Sequence, residues 1–169
     1  INQGRIVQKV AKQLIYSLHR NELKESGSLI VQAKKEKKTL DLISDRKASL
    51  KGEGSYKDAC QEYAEAILFY SFIKEKKLAD YKEVGVCEHD YLLAMCDLTG
   101  ELGRLAVASS IKKDYKMVDT IKNLVSDIWA EFLKFNLRNS DLRRKSDSIK
   151  WNLQKIEDLV YDISIREKI

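Results

Sequence analysis

The sequence predicts an all-α protein, and three features of its composition support this. Its 169 residues include no proline and only seven glycines, and 44% of them are hydrophobic. Sheets built from hairpins need frequent Gly, Pro and Asn at their turns, so sandwiches and barrels are nearly excluded. The hydrophobic fraction is too high for a disordered chain. The length predicts one domain over residues 1–169, with six to seven long antiparallel helices in a single bundle.

The first half of the chain contains three segments with helical periodicity. They cover about residues 3–24, 28–50 and 56–78. Ser26-Gly27 separates the first segment from the second. The stretch 51–55, with two glycines among polar residues, separates the second from the third. Each segment is long enough for a helix of about 30 Å, because an α-helix rises about 1.5 Å per residue.

The second half contains three more helical segments, at about residues 90–111, 115–135 and 141–166. The break before them, residues 79–89, contains Gly85. The short polar connection 112–114 joins the fourth segment to the fifth. Ser140 or Asp141 is expected to cap the last helix, since both residue types accept hydrogen bonds from the first helical turn.

The charge and the cysteines restrict the class of protein further. Lysine and arginine number 31 against 26 acids, a net charge of +5, which fits a polyanionic partner and equally a lysine-rich helical protein. No uncharged apolar run approaches the roughly 18 residues of a spanning helix and no signal peptide opens the chain, so no membrane association is expected. The odd set Cys60, Cys87 and Cys96 predicts reduced thiols and a cytoplasmic location.

The third helix carries two acids in an apolar setting. Glu62 and Glu65 share one face with apolar residues, and a second apolar stripe runs from Cys60 to Tyr70 on the opposite face. A helix that is apolar nearly all round is buried. Two carboxylates at i, i+3 then lie close together, and burial raises the cost of ionising them. A cationic group is therefore expected beside them, unless both are ordinary exposed glutamates.

The fourth helix repeats this pattern. Asp97 and Glu101 are four residues apart and share a face with Arg104, so Glu101 could simply form an ion pair with Arg104. Gly100 and Gly103 lie inside the same helix, where each costs about 1 kcal/mol relative to alanine. The two glycines indicate either helix packing or the close approach of a ligand.

Taken together, the two pairs predict an oxygen-rich site for a hard divalent cation, Mg²⁺ or Mn²⁺. A di-iron site of the ferritin type needs Glu-x-x-His on two helices, and neither His19 nor His89 follows a glutamate by three residues. Zinc lacks a Cys/His set with ligand spacing, and no Walker or GxGxxG loop is present.

At these residues the sequence resembles the translin family, which comprises translin-type and factor-X-type subunits. The segment 61–66 (QEYAEA), continuing through 72–74, and the segment 97–102 (DLTGEL) resemble the two acidic helices of the factor-X type. The segments 136–139 (NLRN) and 160–166 (VYDISIR) are similar to the translin type. The resemblance covers most of the chain, weakly between about residues 28 and 56, and such a mosaic suits an archaeal-type single-gene subunit related to factor X.

The resemblance implies a fold and an activity. The fold is a translin-like helical bundle that assembles into a closed oligomeric barrel of about eight chains. The activity is an Mg²⁺-dependent endoribonuclease acting on single-stranded RNA, with binding of single-stranded DNA as well. The four acids of the factor-X type match Glu62, Glu65, Asp97 and Glu101, as metal ligands and catalytic residues. The His- and Arg-rich patch of translin has no counterpart, since Ser55-Tyr56-Lys57 stands there.

Seven basic residues are candidates for nucleic-acid contacts, each of which could instead be a solvated or ion-paired side chain: Arg20, Lys74, Arg104, Lys112, Lys113, Arg143 and Arg144. Two other classes of protein stay open. One is a catalytically silent scaffold that binds single-stranded RNA or DNA. The other is a helical assembly protein that binds no nucleic acid. Metal-dependent cleavage and salt-dependent binding distinguish them.

Overall fold

The predicted all-α class is confirmed by a computed structural model, which describes residues 2–46, 48–138 and 140–166. Within these residues the structure contains helices and no strand. They are α1 (Asn2–His19), α2 (Leu23–Asp45), a 3-10 helix (Ala48–Gly52), α3 (Gly54–Glu75), α4 (Tyr81–Val84), α5 (Glu88–Ile111), α6 (Tyr115–Leu133) and α7 (Asp141–Arg166). None of the described helices is both long enough and apolar enough to cross a membrane.

The helices group into two units, Ile1–Ala94 and Met95–Ile169, with α5 continuing through the boundary. In the first unit α1 packs on α2 and on α3, and α2 also packs on α3. In the second unit α6 packs on α7. The prediction of one domain over residues 1–169 stays a prediction.

The helix α3 lies at the centre of the first unit. Every residue from Tyr63 to Phe69 is buried, and so is Phe72. The sequence shows the reason, because apolar side chains occupy both of its faces and no orientation could expose one face alone. The prediction of a buried third helix is therefore confirmed, and α3 sets the surroundings of the two glutamates that it carries.

The boundary between α1 and α2 differs from the prediction. Ser26 and Gly27 lie inside α2, with Ser26 fully buried, and the chain turns instead at 20–22. Asn21 has φ 58°, its N–H donates to Leu18 O (3.0 Å), and the N–H of Glu22 donates to Ser17 O (3.0 Å). These two hydrogen bonds end α1 at a residue in the left-handed helical conformation, which Asn adopts more readily than most residues. The Ser-Gly signal was wrong because one glycine inside a helix costs only about 1 kcal/mol.

The end of α2 also differs from the prediction, since the helix stops at Asp45 and not near residue 50. The other boundaries lie within a few residues of the predictions. The break at 79–89 contains α4, a single turn between the N-cap Asp80 and Gly85, whose φ is 76°. At the end of α5, Lys113 has φ 60° and donates its N–H to Ser110 O (2.9 Å). Asp114 donates its N–H to Ser109 O (2.9 Å) and accepts from the N–H of Met117 (3.1 Å), which starts α6. The predicted cap of α7 is confirmed, since Ser140 Oγ accepts from the N–H of Arg143 (3.2 Å).

A glycine at the start of α1 provides a stability prediction. A Cβ added to Gly4 would lie 2.9 Å from the backbone oxygen of Ser55, which is closer than side-chain carbons approach. We expect Gly4→Ala to lower the free energy of unfolding by about 1–3 kcal/mol, the usual cost of overpacking. Gly27→Ala is the matched control, because nothing lies within 4 Å there and alanine favours the helix by about 1 kcal/mol. Urea unfolding of both variants checks this, and a stabilised Gly4→Ala would contradict it.

Two buried thiols and one buried tyrosine hydroxyl predict that the protein becomes less stable at alkaline pH. Burial raises the pKa of Cys60 to about 11, and the pKa values of Tyr63 and Cys96 to about 12. The unfolded chain releases these protons at lower pH, so above about pH 9 the folded protein holds more protons than the unfolded one. The free energy of unfolding should therefore fall with rising pH, by about 1.4 kcal/mol per pH unit for each such proton. Urea unfolding between pH 8 and 10.5 measures this slope. Cys60→Ala should reduce it, and a flat profile would contradict the prediction.

Candidate metal and nucleic-acid site

The two acids of α3 differ in burial. Glu65 is only 8% exposed, so its carboxyl group lies in the core. Glu62 is half-buried, and its Oε1 lies 3.2 Å from Nζ of Lys12 on α1. A buried charge needs a charged or hydrogen-bonding partner. The expectation that a cation lies beside this pair is confirmed for Glu62, and Lys12 is that cation.

The acid pair of α5 is also bound by cations, within the second unit. Asp97 Oδ2 lies 2.6 Å from Nζ of Lys145 on α7, and both side chains are about 30% exposed. Glu101 Oε2 accepts a hydrogen bond of 2.8 Å from Nη1 of Arg104, one turn along the same helix. The alternative that Glu101 pairs with Arg104 is thus what the structure shows. The Arg104 side chain is largely exposed, so this pair contributes little to stability.

Hydrogen bonds hold the segment of α5 between these two acids against α7. Asn152 Nδ2 donates to Thr99 Oγ1 (2.9 Å), and the buried Thr99 hydroxyl donates to Cys96 O (2.7 Å). A Cβ on Gly100 would meet Asn152 Nδ2 at 3.7 Å, an ordinary contact, and one on Gly103 would meet nothing within 4 Å. Packing within this chain therefore requires neither glycine.

The donor chemistry of the four acids fits a hard divalent cation. All four offer carboxylate oxygens, the ligands that Mg²⁺ and Mn²⁺ prefer. Cationic groups already lie on three of them, on Glu62, Asp97 and Glu101. Among residues 2–46, 48–138 and 140–166, no three His, Cys, Asp or Glu side chains lie close enough together to hold a metal ion. A metal would therefore compete with lysine and arginine for these oxygens.

The seven predicted nucleic-acid contacts all have exposed side chains: Arg20, Lys74, Arg104, Lys112, Lys113, Arg143 and Arg144. Two of them lie over aromatic rings, with the Arg20 guanidinium 5.6 Å from the ring centre of Tyr16 and Lys74 Nζ 5.8 Å from that of Tyr70. Arg20 also forms an ion pair with Glu22 at 2.5 Å. Their exposure makes all seven side chains accessible to a phosphate group.

The sequence analysis missed a buried cation on α2. Lys37 is 4% exposed, and its Nζ lies 2.7 Å from both carboxylate oxygens of Asp41 and 3.3 Å from Gly85 O. It also lies about 6 Å from the ring centres of Tyr56 and Tyr63, and the Tyr56 hydroxyl donates to Asp41 Oδ1 (2.9 Å). Lys37, Asp41 and Tyr56 border a cavity of about 700 Å³.

A signal for this burial was present in the sequence. Lys37 follows Ile30 and Ala33 and precedes Leu40 at spacings of three and four, which places it on the buried stripe of α2. The neighbouring lysines of the same run, Lys34 and Lys38, are exposed. The register within a charged run therefore identifies the buried member.

The sequence matches the Translin family over residues 1–167, and the chain belongs to this family. It is 40% identical over 77 residues to translin of Gallus gallus, a match that covers 46% of this chain and 34% of that protein. The chain thus matches about a third of the length of this curated relative. It is 25% identical over 179 residues to the translin-associated protein X homolog of Schizosaccharomyces pombe, covering 93% of this chain and 76% of the homolog.

Solved structures confirm the fold. The crystal structure of apo-NeC3PO superposes with a TM-score of 0.88 at 26% identity, covering 95% of this chain and 85% of that one. The complex of AfC3PO with duplex RNA gives a TM-score of 0.85 at 19% identity, covering 98% and 87%. At that identity the second likeness concerns the fold alone.

Proposed function

We propose that this chain binds single-stranded nucleic acid and cleaves single-stranded RNA with Mg²⁺ as cofactor. One observation carries the proposal: the chain has two acids on each of two largely apolar helices, Glu62 and Glu65 on α3 and Asp97 and Glu101 on α5. The complex of AfC3PO with duplex RNA shows that a protein of this fold binds RNA. The preference for single strands rests on the family resemblance of the sequence.

Glu62, Glu65, Asp97 and Glu101 would hold the Mg²⁺ ion, or Mn²⁺ in its place. When bound, such an ion polarises the phosphate and lowers the pKa of a bound water. The chain itself supplies the carboxylates and exposed cations. Arg20, Lys74 and Arg104 would contact phosphates near the site. Lys112, Lys113, Arg143 and Arg144 would attract the polyanion at longer range, which makes binding dependent on salt.

We also propose a closed homo-oligomer, most simply of eight chains, in the cytoplasm. The α7 helix exposes Trp151 (60%), Tyr161 (66%) and Ile165 (44%), although one apolar stripe of the same helix is already buried against its unit. Surplus apolar surface of this kind is typical of subunit contacts. Light scattering should give a mass several times 19.5 kDa, and a monomer would contradict the assembly.

A catalytically silent binding scaffold is the second candidate function. The ion pairs of Glu62, Asp97 and Glu101 favour it, because a carboxylate that holds a lysine or arginine has a structural role without metal. Such a scaffold would bind single-stranded RNA or DNA with the same salt dependence and leave it intact.

One experiment separates the two functions. End-labelled single-stranded RNA is incubated with the full chain, in Mg²⁺ and in excess chelator, and the products are resolved by length. Internal cleavage in Mg²⁺ that stops in chelator supports the endoribonuclease. Intact RNA that is nevertheless retained on the protein in a gel-shift assay supports the scaffold. Intact and unretained RNA would contradict both.

A further inference from the structure

The outer face of α1 carries a row of cations interrupted by one aromatic residue. Arg5, Lys9, Lys12 and Tyr16 follow one another at spacings of four, three and four, and Arg20 continues the spacing just beyond the helix. All five side chains are exposed. We call these five residues the α1 basic face. The opposite side of the helix is buried and apolar, so packing fixes the direction in which this row points.

A groove of about 620 Å³ runs along this face. Three of its cations, Arg5, Lys9 and Lys12, border the groove, and Glu25 is the single acid among the groove's lining residues. Gln8 and Gln13 add uncharged hydrogen-bonding groups. The groove is therefore cationic and polar, which suits a polyanion better than an apolar peptide.

An exposed aromatic ring distinguishes this face from an ordinary solvated helix. Tyr16 is 60% exposed, and the guanidinium of Arg20 lies 5.6 Å from its ring centre. Aromatic rings beside arginines form stacking platforms for unpaired bases, and such stacking tolerates any base because every base has a π-face. A paired base in a duplex cannot offer its face in this way.

The face also adjoins the acid pair of α3. Lys12 belongs to the row and its Nζ lies 3.2 Å from Oε1 of Glu62. A strand lying along the row would thus pass beside a proposed metal ligand of the same unit. From Arg5 to Tyr16 the helix rises about 16 Å, at about 1.5 Å per residue. That distance spans about five nucleotides of a stacked strand, at roughly 3.4 Å each.

We propose that the α1 basic face binds single-stranded nucleic acid, with phosphates on Arg5, Lys9 and Arg20 and one base stacked on Tyr16. Lys12 connects this track to Glu62. The inference rests on the proposed function and extends it from Arg20 to the four other residues of the α1 basic face. It predicts separable effects, because cations contribute to the salt dependence of binding and a stacking ring does not.

The test measures binding of a fluorescent single-stranded 12-nucleotide RNA by anisotropy, in chelator so that no cleavage occurs. For Arg5→Gln with Lys9→Gln we expect weaker binding and a slope of log affinity against log salt that is smaller by about 1.4, since each neutralised phosphate contributes about 0.7 on a single strand. Tyr16→Ala should weaken binding about 5- to 100-fold with an unchanged slope, and Tyr16→Phe should restore it.

Lys34→Gln with Lys38→Gln is the matched control, because it removes the same charge from exposed positions of α2 in the same unit. An equal loss in this control, or parental binding by the α1 variants, would overturn the inference. A loss of binding accompanied by a change of mass in light scattering would show that the face joins copies of the chain, which also overturns it. A parent protein that binds no RNA would defeat the proposed function itself. If the parent protein binds and cleaves RNA and the α1 variants do so equally well, only this inference is defeated.

Discussion

Replacing Glu65 by glutamine is expected to abolish Mg²⁺-dependent cleavage while the protein stays folded. Glutamine keeps the volume of the side chain and removes one charged ligand. Loss of an outer-shell partner of a metal already costs about 10- to 100-fold, so loss of a direct ligand should cost more than about 100-fold. Glu65 is 8% exposed, and glutamine keeps a hydrogen-bonding group of the same size at this position, so the protein should stay folded in chelator. RNA binding in chelator should persist or tighten.

Glu75→Gln is the matched control, because it removes the same charge from the exposed end of α3 and should cleave at the parental rate. Asp97→Asn should also lose cleavage. It loses in addition the 2.6 Å ion pair with Lys145, a partly exposed pair worth about 0–1 kcal/mol, so its melting temperature should fall slightly. Cleavage by Glu65→Gln at the parental rate would remove the metal-site assignment and leave the binding scaffold.

The largest effect on stability is expected at Asp41. Replacing it by alanine leaves the ammonium group of Lys37, which is 4% exposed, without its carboxylate. Removing one partner of a buried ion pair costs about 3–5 kcal/mol. Asp41 is itself 35% exposed, so we expect the lower end, about 3 kcal/mol. In a chain of this size that lowers the melting temperature by roughly 6–12 °C.

Two further variants make this prediction specific. Asp45→Ala breaks the exposed ion pair with Lys51 and should change the free energy of unfolding by less than about 1 kcal/mol. Lys37→Met combined with Asp41→Asn removes both charges and keeps an acceptor for the Tyr56 hydroxyl, so it should recover more than half of the loss. Calorimetry of the three variants measures these differences. Equal melting temperatures for Asp41→Ala and Asp45→Ala would show that the Lys37 pair is no more stabilising than a surface pair.

The sequence predicted the helices well where their patterns were strong. A helix that is apolar on every side is stable only in the protein interior, so the residue types of α3 were enough to predict its burial. The connection 112–114 and the start of α6 at Tyr115 were also correct. The α1–α2 boundary was not, because the choice between Asn21 and Ser26-Gly27 depends on backbone hydrogen bonds that propensities do not record.

The sequence also predicted only part of the candidate site. The four acids could be identified because carboxylates are unusual in such apolar helices. Their partners could not, with the exception of Arg104 one turn away. Lys12 and Lys145 lie on other helices than Glu62 and Asp97, so only tertiary packing brings each of them to its acid. Residue type and helical register predict what one helix carries, and they do not predict which side chain of a distant segment meets it.

The junction between α5 and α6 has a consequence for how related sequences can differ in length. Asp114 closes α5 through its N–H to Ser109 O and opens α6 through its carboxylate to Met117. A deletion or insertion of a single residue at 112–114 would break both sets of bonds at once. Between α6 and α7, residues 136–138 belong to no helix, and Asn136 and Arg138 are exposed. Length variation among relatives should therefore concentrate at 136–138, where no residue like Asp114 takes part in the hydrogen bonds of two helix ends.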